Sequence, residues 1–364
     1  MFIEFSTNRW DNIRNVYSSW WNRTLQRPVV NLTFTGAKSD MEKPEDFSGI
    51  PLWKRPLDEP IEKILRDDLY TVSTGRFAAD AFPMVLPDFG AGVNAAFCGC
   101  IAIPMADTVW FHPPGPGIDP RELQITHCPE STIYHRIRQY YEKSADFFEG
   151  QAVIGMTHLN NGIDIVARFF DGESMILALR DYPEEIKRLT NENHHLFVRY
   201  LEELSASMGD DVPGYSCWGN IYGERPWFGT QSDFCYMIGP DDFNEFVLPE
   251  LTQCYNTYGE ANYYHLDGPE QLRHLDTILT IPNLKCVQWV SGAGAPAPLE
   301  WPEVYKKIAG AGKNIWYMGE LSELIEIANI IGTTSGLYWQ GYWPWERREE
   351  ARKLLRELGV PEEF

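Results

Sequence analysis

Basic residues are scarce in this chain: 31 Lys and Arg stand against 52 Asp and Glu, a formal net charge of −21. A surface of that sign repels polyanions, which excludes nucleic acid and anionic membranes as general partners. Long apolar runs are missing as well. No stretch approaches the ~20 residues of a membrane span. The N-terminus runs from Met1-Phe2-Ile3-Glu4-Phe5 into Arg9, Asp11 and Arg14 without a signal-like segment. The expectation is a cytoplasmic protein. Seven cysteines without regular spacing, and no Cys-x-x-Cys pair, argue against a disulfide framework or a zinc ribbon. Cys98 and Cys100, in an Ala/Phe/Gly/Ile-rich run, read as small buried hydrophobes. The dinucleotide fingerprint Gly-x-Gly-x-x-Gly follows no early strand, which lowers the case for a Rossmann-type sheet.

What is present suits one large core, with 44% hydrophobic, 14% aromatic and 23% charged residues. Short apolar segments end repeatedly in Gly, Asn or Pro and run into helical patterns, the mark of β/α units. Pro28–Phe34, Val153–His158, Tyr215–Trp218, Asn262–Asp267, Lys285–Val290, Asn314–Met318 and Leu337–Gln340 are seven such strands. An eighth is expected near Thr108–Phe111. Amphipathic helices are expected after a capping Asp181, over Asp241–Cys254 and over Arg347–Leu358, and residues 36–60 and 112–130 read as Pro-rich loops. With no repeat or linker to force a boundary, residues 1–364 read as one domain, a single (β/α)8 TIM-type barrel with an N-terminal extension and loop insertions.

His265 and Asp267 lie two apart on a strand that stops at Gly268-Pro269, so their side chains leave the same face at its C-terminal end. In a barrel that end carries the reacting groups. Imidazole beside carboxylate can ligate a metal, act as a general base, or merely satisfy a strand end; position favours chemistry. Other strand ends offer His158 and Asn160, Gln288 and Trp289, Glu320 and Gln340, each weak alone. Asp164 reads as a simple helix cap, and Asp233 is equally well a reacting group or a solvated loop carboxylate. The run Tyr338-Trp339, Tyr342-Trp343 and Trp345 suggests an aromatic wall or plain core.

Tyr264-His265-Leu266-Asp267-Gly268-Pro269, His274-Leu275-Asp276, Ile281-Pro282 and Val287-Gln288-Trp289-Val290-Ser291-Gly292-Ala293-Gly294 together resemble a prokaryotic branch of the uroporphyrinogen decarboxylase superfamily. Phe89-Gly90-Ala91-Gly92, Asn161-Gly162-Ile163-Asp164 and Ile238-Gly239-Pro240 extend the likeness over most of the chain. The resemblance implies methyl transfer with a corrinoid protein, or decarboxylation. The zinc methyltransferases of that superfamily carry His-x-Cys-Gly, where this chain has His265-Leu266-Asp267-Gly268 and no Cys beyond Cys286. Ligation of a divalent metal, zinc for preference, therefore becomes richer in oxygen, with Glu320 or Gln340 as third ligand. The Arg-Gln-Ala-Gly-Arg motif of true uroporphyrinogen decarboxylases is missing, its place taken by Asn22 to Pro28.

The expected function is thus metal-dependent methyl transfer on a small substrate or corrinoid protein, with His265, Asp267 and Asp233 catalytic and His265, Asp267 and Glu320 on the metal. His158, Asn160, Gln288, Trp289 and Gln340 are expected to meet the substrate, and a homodimer accords with the resemblance. The alternatives are a cofactor-free decarboxylase and a non-catalytic small-molecule-binding barrel.

Overall fold

In the computed structural model, residues 3 and 5–363 are described. Eleven strands follow in chain order: β1 Val29–Thr35, β2 Arg76–Ala79, β3 Met84–Val85, β4 Ile101–Pro104, β5 Val109–His112, β6 Val153–Ile154, β7 Thr230–Gln231, β8 Tyr263–Asp267, β9 Cys286–Val290, β10 Asn314–Tyr317 and β11 Leu337–Pro344. Seven form one sheet in the order β2-β1-β11-β10-β9-β8-β7, parallel throughout except for the β1–β2 pair.

The expected closed eight-stranded barrel is not what the described residues form. The architecture is mixed α/β with a mostly parallel central sheet, TIM-like but open. The segment expected as a strand at Tyr215–Trp218 spends its pairing on an antiparallel bridge with Gly223 in its own loop. It touches the neighbouring segment through the Met156 amide, which donates to the Ser216 carbonyl. β3 and β6 pair apart from the main sheet. Thr108–Phe111 supplies no eighth barrel strand: β5 pairs with β4 in an outlying hairpin that leaves Ile101, Ile103 and Trp110 exposed.

The helices cover the sheet because their apolar residues recur on one side. Pro183–Ala206 buries Ile186, Leu189, Phe197, Tyr200, Leu201 and Leu204. It begins at Pro183, whose lost N–H falls where no intrahelical acceptor exists, whereas Asp181 closes the preceding helix Gly172–Asp181. The helix expected over Asp241–Cys254 is two, Pro240–Phe246 and Leu248–Thr257, because Pro249 cannot continue a helix from upstream.

Register decides which residues meet. His265 lies opposite Gln288 and Gln288 opposite Trp316, while Trp316 also lies opposite Tyr338. Parallel neighbours in register share a face, so Tyr263, His265 and Asp267 project with Gln288, Trp316 and Tyr338. Tyr263, Trp316 and Tyr338 build a buried aromatic floor, edge to face at centroid separations of 5.3 and 5.5 Å. Such pairs contribute about 0.5–1.5 kcal/mol each beyond burial. Tyr264, Leu266, Val287 and Trp289 leave the opposite face and pack under helices.

Candidate active site at the strand ends

Above the aromatic floor, His265 Nδ1 is 2.5 Å from Gln288 Oε1. A carbonyl oxygen can only accept, so Nδ1 carries the proton and Nε2 keeps its lone pair. The amide is held in that orientation because its Nε2 donates to Met318 Sδ at 3.1 Å. His265 Nε2 lies 4.0 Å from Asp267 Oδ2, and ligand atoms of His265, Asp267 and Asp233 all lie within 4.8 Å of one another. The His265 side chain is 17% exposed and that of Asp267 44%, so the group faces an opening rather than a sealed core.

Asp233 is placed by the turn that follows β7. Asp164 accepts from the backbone N–H of Asp233 at 2.9 Å and of Phe234 at 3.0 Å. Gln231 then bridges two site residues, accepting from His158 Nε2 at 3.1 Å and donating through Nε2 to Asp233 Oδ2 at 2.9 Å. Trp218 stacks on His158 at 5.1 Å and meets the His265 ring edge-on at 5.4 Å. Both imidazoles lose hydration here. Burial pushes His158 down to about 4 and lowers His265 despite the opposing pull of Gln288 and Asp267, so both are neutral at pH 7.

The acids move the other way. Asp233 reaches solvent at its edge, yet the walls around it strip most of its hydration, and that loss with the Asp267 charge pushes it up to about 6. Burial first, and the Asp233 charge second, push Asp164 up to about 7 against its two backbone donors. A folded-state value above the unfolded one of ~3.9 means that the native state holds more protons between the two values. The native state is therefore favoured at low pH and loses that advantage as pH rises from about 4 to 7. In urea unfolding followed across that range, Asp164→Asn is expected to flatten the fall in stability relative to the parent; identical pH profiles would count against the assignment.

Several expected residues lie elsewhere. Trp289 is fully buried on the opposite face of β9, its ring against Trp301 at 5.2 Å, and cannot touch a substrate at the mouth. Asn160 is buried with neither atom of its side-chain amide hydrogen-bonded, its amide nitrogen 3.3 Å from where a Cβ on Gly92 would lie. Glu320 is exposed and its backbone N–H is held by Glu323 at 2.8 Å; Asp233, not Glu320, groups with His265 and Asp267. Gln340 lies on the mouth-facing side of β11, two strands beyond Gln288, and bonds Tyr342. Asp164 is no cap: Asn161 holds that position for Gly162–Ala167. Gln231 was not singled out in the sequence, and Trp218 and Met318 were read only as strand ends, because a lone Gln, Trp or Met carries no pattern that marks a contact with His158 or Gln288.

A second cluster lies deeper. Glu250 and Cys254, one turn apart on Leu248–Thr257, meet His194 of Pro183–Ala206, all three buried. Glu250 Oε1 accepts from Cys254 Sγ at 3.0 Å and stands 3.2 Å from His194 Nδ1, and Oε2 accepts from Asn161 Nδ2 at 2.8 Å. Gly162 has φ +51°, and a Cβ there would lie 2.6 Å from Glu250 Oε2, so only glycine lets this carboxylate reach the helix start. Asn161 Oδ1 in turn accepts from the Gln231 amide at 3.2 Å, which ties the cluster to the mouth.

No family model matches the chain, and no curated protein matches it by sequence. Among solved structures, the fold is similar to that of a methyltransferase from Methanosarcina mazei, with a TM-score of 0.57 and 11% identity over 92% of this chain and 94% of that one. At that identity the likeness is one of fold. Among the described residues no helix is long and apolar enough to cross a membrane.

Proposed function

We propose that this chain is a methyltransferase-like enzyme, kin to the uroporphyrinogen decarboxylase superfamily, in which His265, Asp267 and Asp233 hold a divalent ion, zinc for preference. One observation carries the reading: Gln288 fixes the His265 tautomer so that Nε2 is free to ligate, with two carboxylates inside 4.8 Å. A ring nitrogen anchored through its other N–H by an amide carbonyl is the usual second-shell arrangement at metal sites. The donor set of one nitrogen and two carboxylates fits zinc and harder divalent ions alike. The fold shared with a methyltransferase and the motifs around His265 and Gly292 support the same class.

When bound, a divalent ion supplies Lewis acidity that lowers the pKa of a substrate thiol or hydroxyl. The chain's own residues do the rest. Gln288 orients His265, and Gln231 and Asp164 hold Asp233 toward it. His158, neutral and stacked on Trp218, walls the site and keeps water off one side of it. The substrate is a small molecule, and a separate corrinoid protein is the proposed methyl carrier.

Calorimetric titration of chelator-treated protein with Zn2+ tests the centre. One equivalent is expected, with Asp233→Asn and Asp267→Asn each weakening it by roughly 10–100-fold, the cost typical of disturbing a metal site's supporting shell or more. Uptake unchanged in both variants would sink the metal centre. A second reading, decarboxylation without metal, draws on Asp164 and Asp233, both raised far enough to hold protons near neutrality. Turnover indifferent to chelation would select it.

A further inference from the structure

Beside Asp233 opens a cleft of about 490 Å³ that the reaction scheme above leaves unused, walled by Trp110, Phe170, Met175 and Met237 and floored by Asp164 and Arg168. Its size suits a small organic molecule. Arg168 is the anomaly in it. Its Nε is buried without a hydrogen-bond partner, and among the described residues its guanidinium makes no hydrogen bond or ion pair. The two nearby carboxylates are close enough to feel its charge, but they are turned to other donors. Asp164 accepts from the amides of Asp233 and Phe234, and Asp233 from Gln231. A guanidinium beside apolar walls, with its donors uncommitted, lacks a planar acceptor.

We propose that Arg168 is the anion anchor of the substrate, binding the carboxylate of a small monocarboxylate whose apolar body lies along Trp110, Phe170 and Met237 and whose far end reaches Asp233. This assignment rests on reading Asp233, His265 and Asp267 as the reacting centre, since Asp233 is where the cleft joins it. A monoanion fits better than a dianion because two carboxylates already share the cleft. The guanidinium fork matches a carboxylate with two parallel hydrogen bonds, and lysine would not reproduce that geometry.

The test measures binding alone, by calorimetry on chelator-treated protein, so the absence of a metal centre would leave its outcome untouched. Phenylacetate and 3-phenylpropionate are compared with their amides and with phenyl phosphate. The parent is expected to bind at least one acid about tenfold or more tighter than its amide, the scale of a hydrogen bond to a charged group, and tighter than phenyl phosphate. Arg168→Gln is expected to erase the preference while leaving amide affinity and melting temperature unchanged. Trp110→Ala, at a half-exposed side chain outside the core, is expected to weaken acid and amide alike. The proposal is overturned if neither acid binds, if acid and amide bind equally to the parent, if phenyl phosphate binds more tightly than both acids, or if Arg168→Gln keeps the preference.

Discussion

Replacing His265 by alanine is expected to lower the proposed methyl transfer by about 10²–10⁴-fold, the span that a positioned acid–base or ligand group contributes. His265 Nε2 brings a nitrogen lone pair to a group that also holds Asp233 and Asp267, and its ring meets Trp218 edge-on. The loss of Nε2 leaves two carboxylates facing each other with no neutral donor between them. Gln288→Ala should fall between parent and His265→Ala, losing roughly 10–100-fold, because it frees the tautomer and the ring without removing the nitrogen. Steady-state rates for the three proteins, at equal metal loading, check the order. A His265→Ala enzyme within threefold of the parent would remove this centre from the chemistry altogether.

Glu250→Ala is expected to be the most damaging change to stability, by roughly 3–5 kcal/mol. The carboxylate is the common acceptor for Cys254 Sγ and Asn161 Nδ2 and stands at hydrogen-bond distance from His194 Nδ1, all buried. Alanine orphans those groups together and empties the space that Gly162 keeps open. With about 2 cal/mol/K of unfolding entropy per residue over 364 residues, that loss corresponds to a melting temperature lower by about 5 °C. Scanning calorimetry decides it, and a shift under 1 °C would mean that the cluster is not a structural hub. Glu250→Gln keeps the shape and one acceptor oxygen, and is expected to lose less.

The strand carrying His265 and Asp267 was legible because alternation along a strand is strict and Gly268-Pro269 ends it. The same alternation shows why Gln288 and Trp289 cannot both face a ligand: adjacent strand residues leave opposite faces, and Trp289 went to the helices. Thr108–Phe111 looked like any other short β segment, because nothing local distinguishes a hairpin strand from a barrel strand. Asp164 carries the composition of a helix start, and its bond to the turn at Asp233, 69 residues on, is long-range information that local pattern does not hold. Arg168 and Glu250 were invisible for the same reason: their partners, or lack of them, are set by tertiary packing.

The main sheet ends at β2 on one side and β7 on the other, with β3 and β6 set apart. Ladders zip a wall shut; a wall spanned by few rungs can breathe while the rest of the molecule stays native. That quarter also bears His158, four residues beyond β6, so the wall beside the site is held by buried side chains and single hydrogen bonds rather than by a continuous ladder.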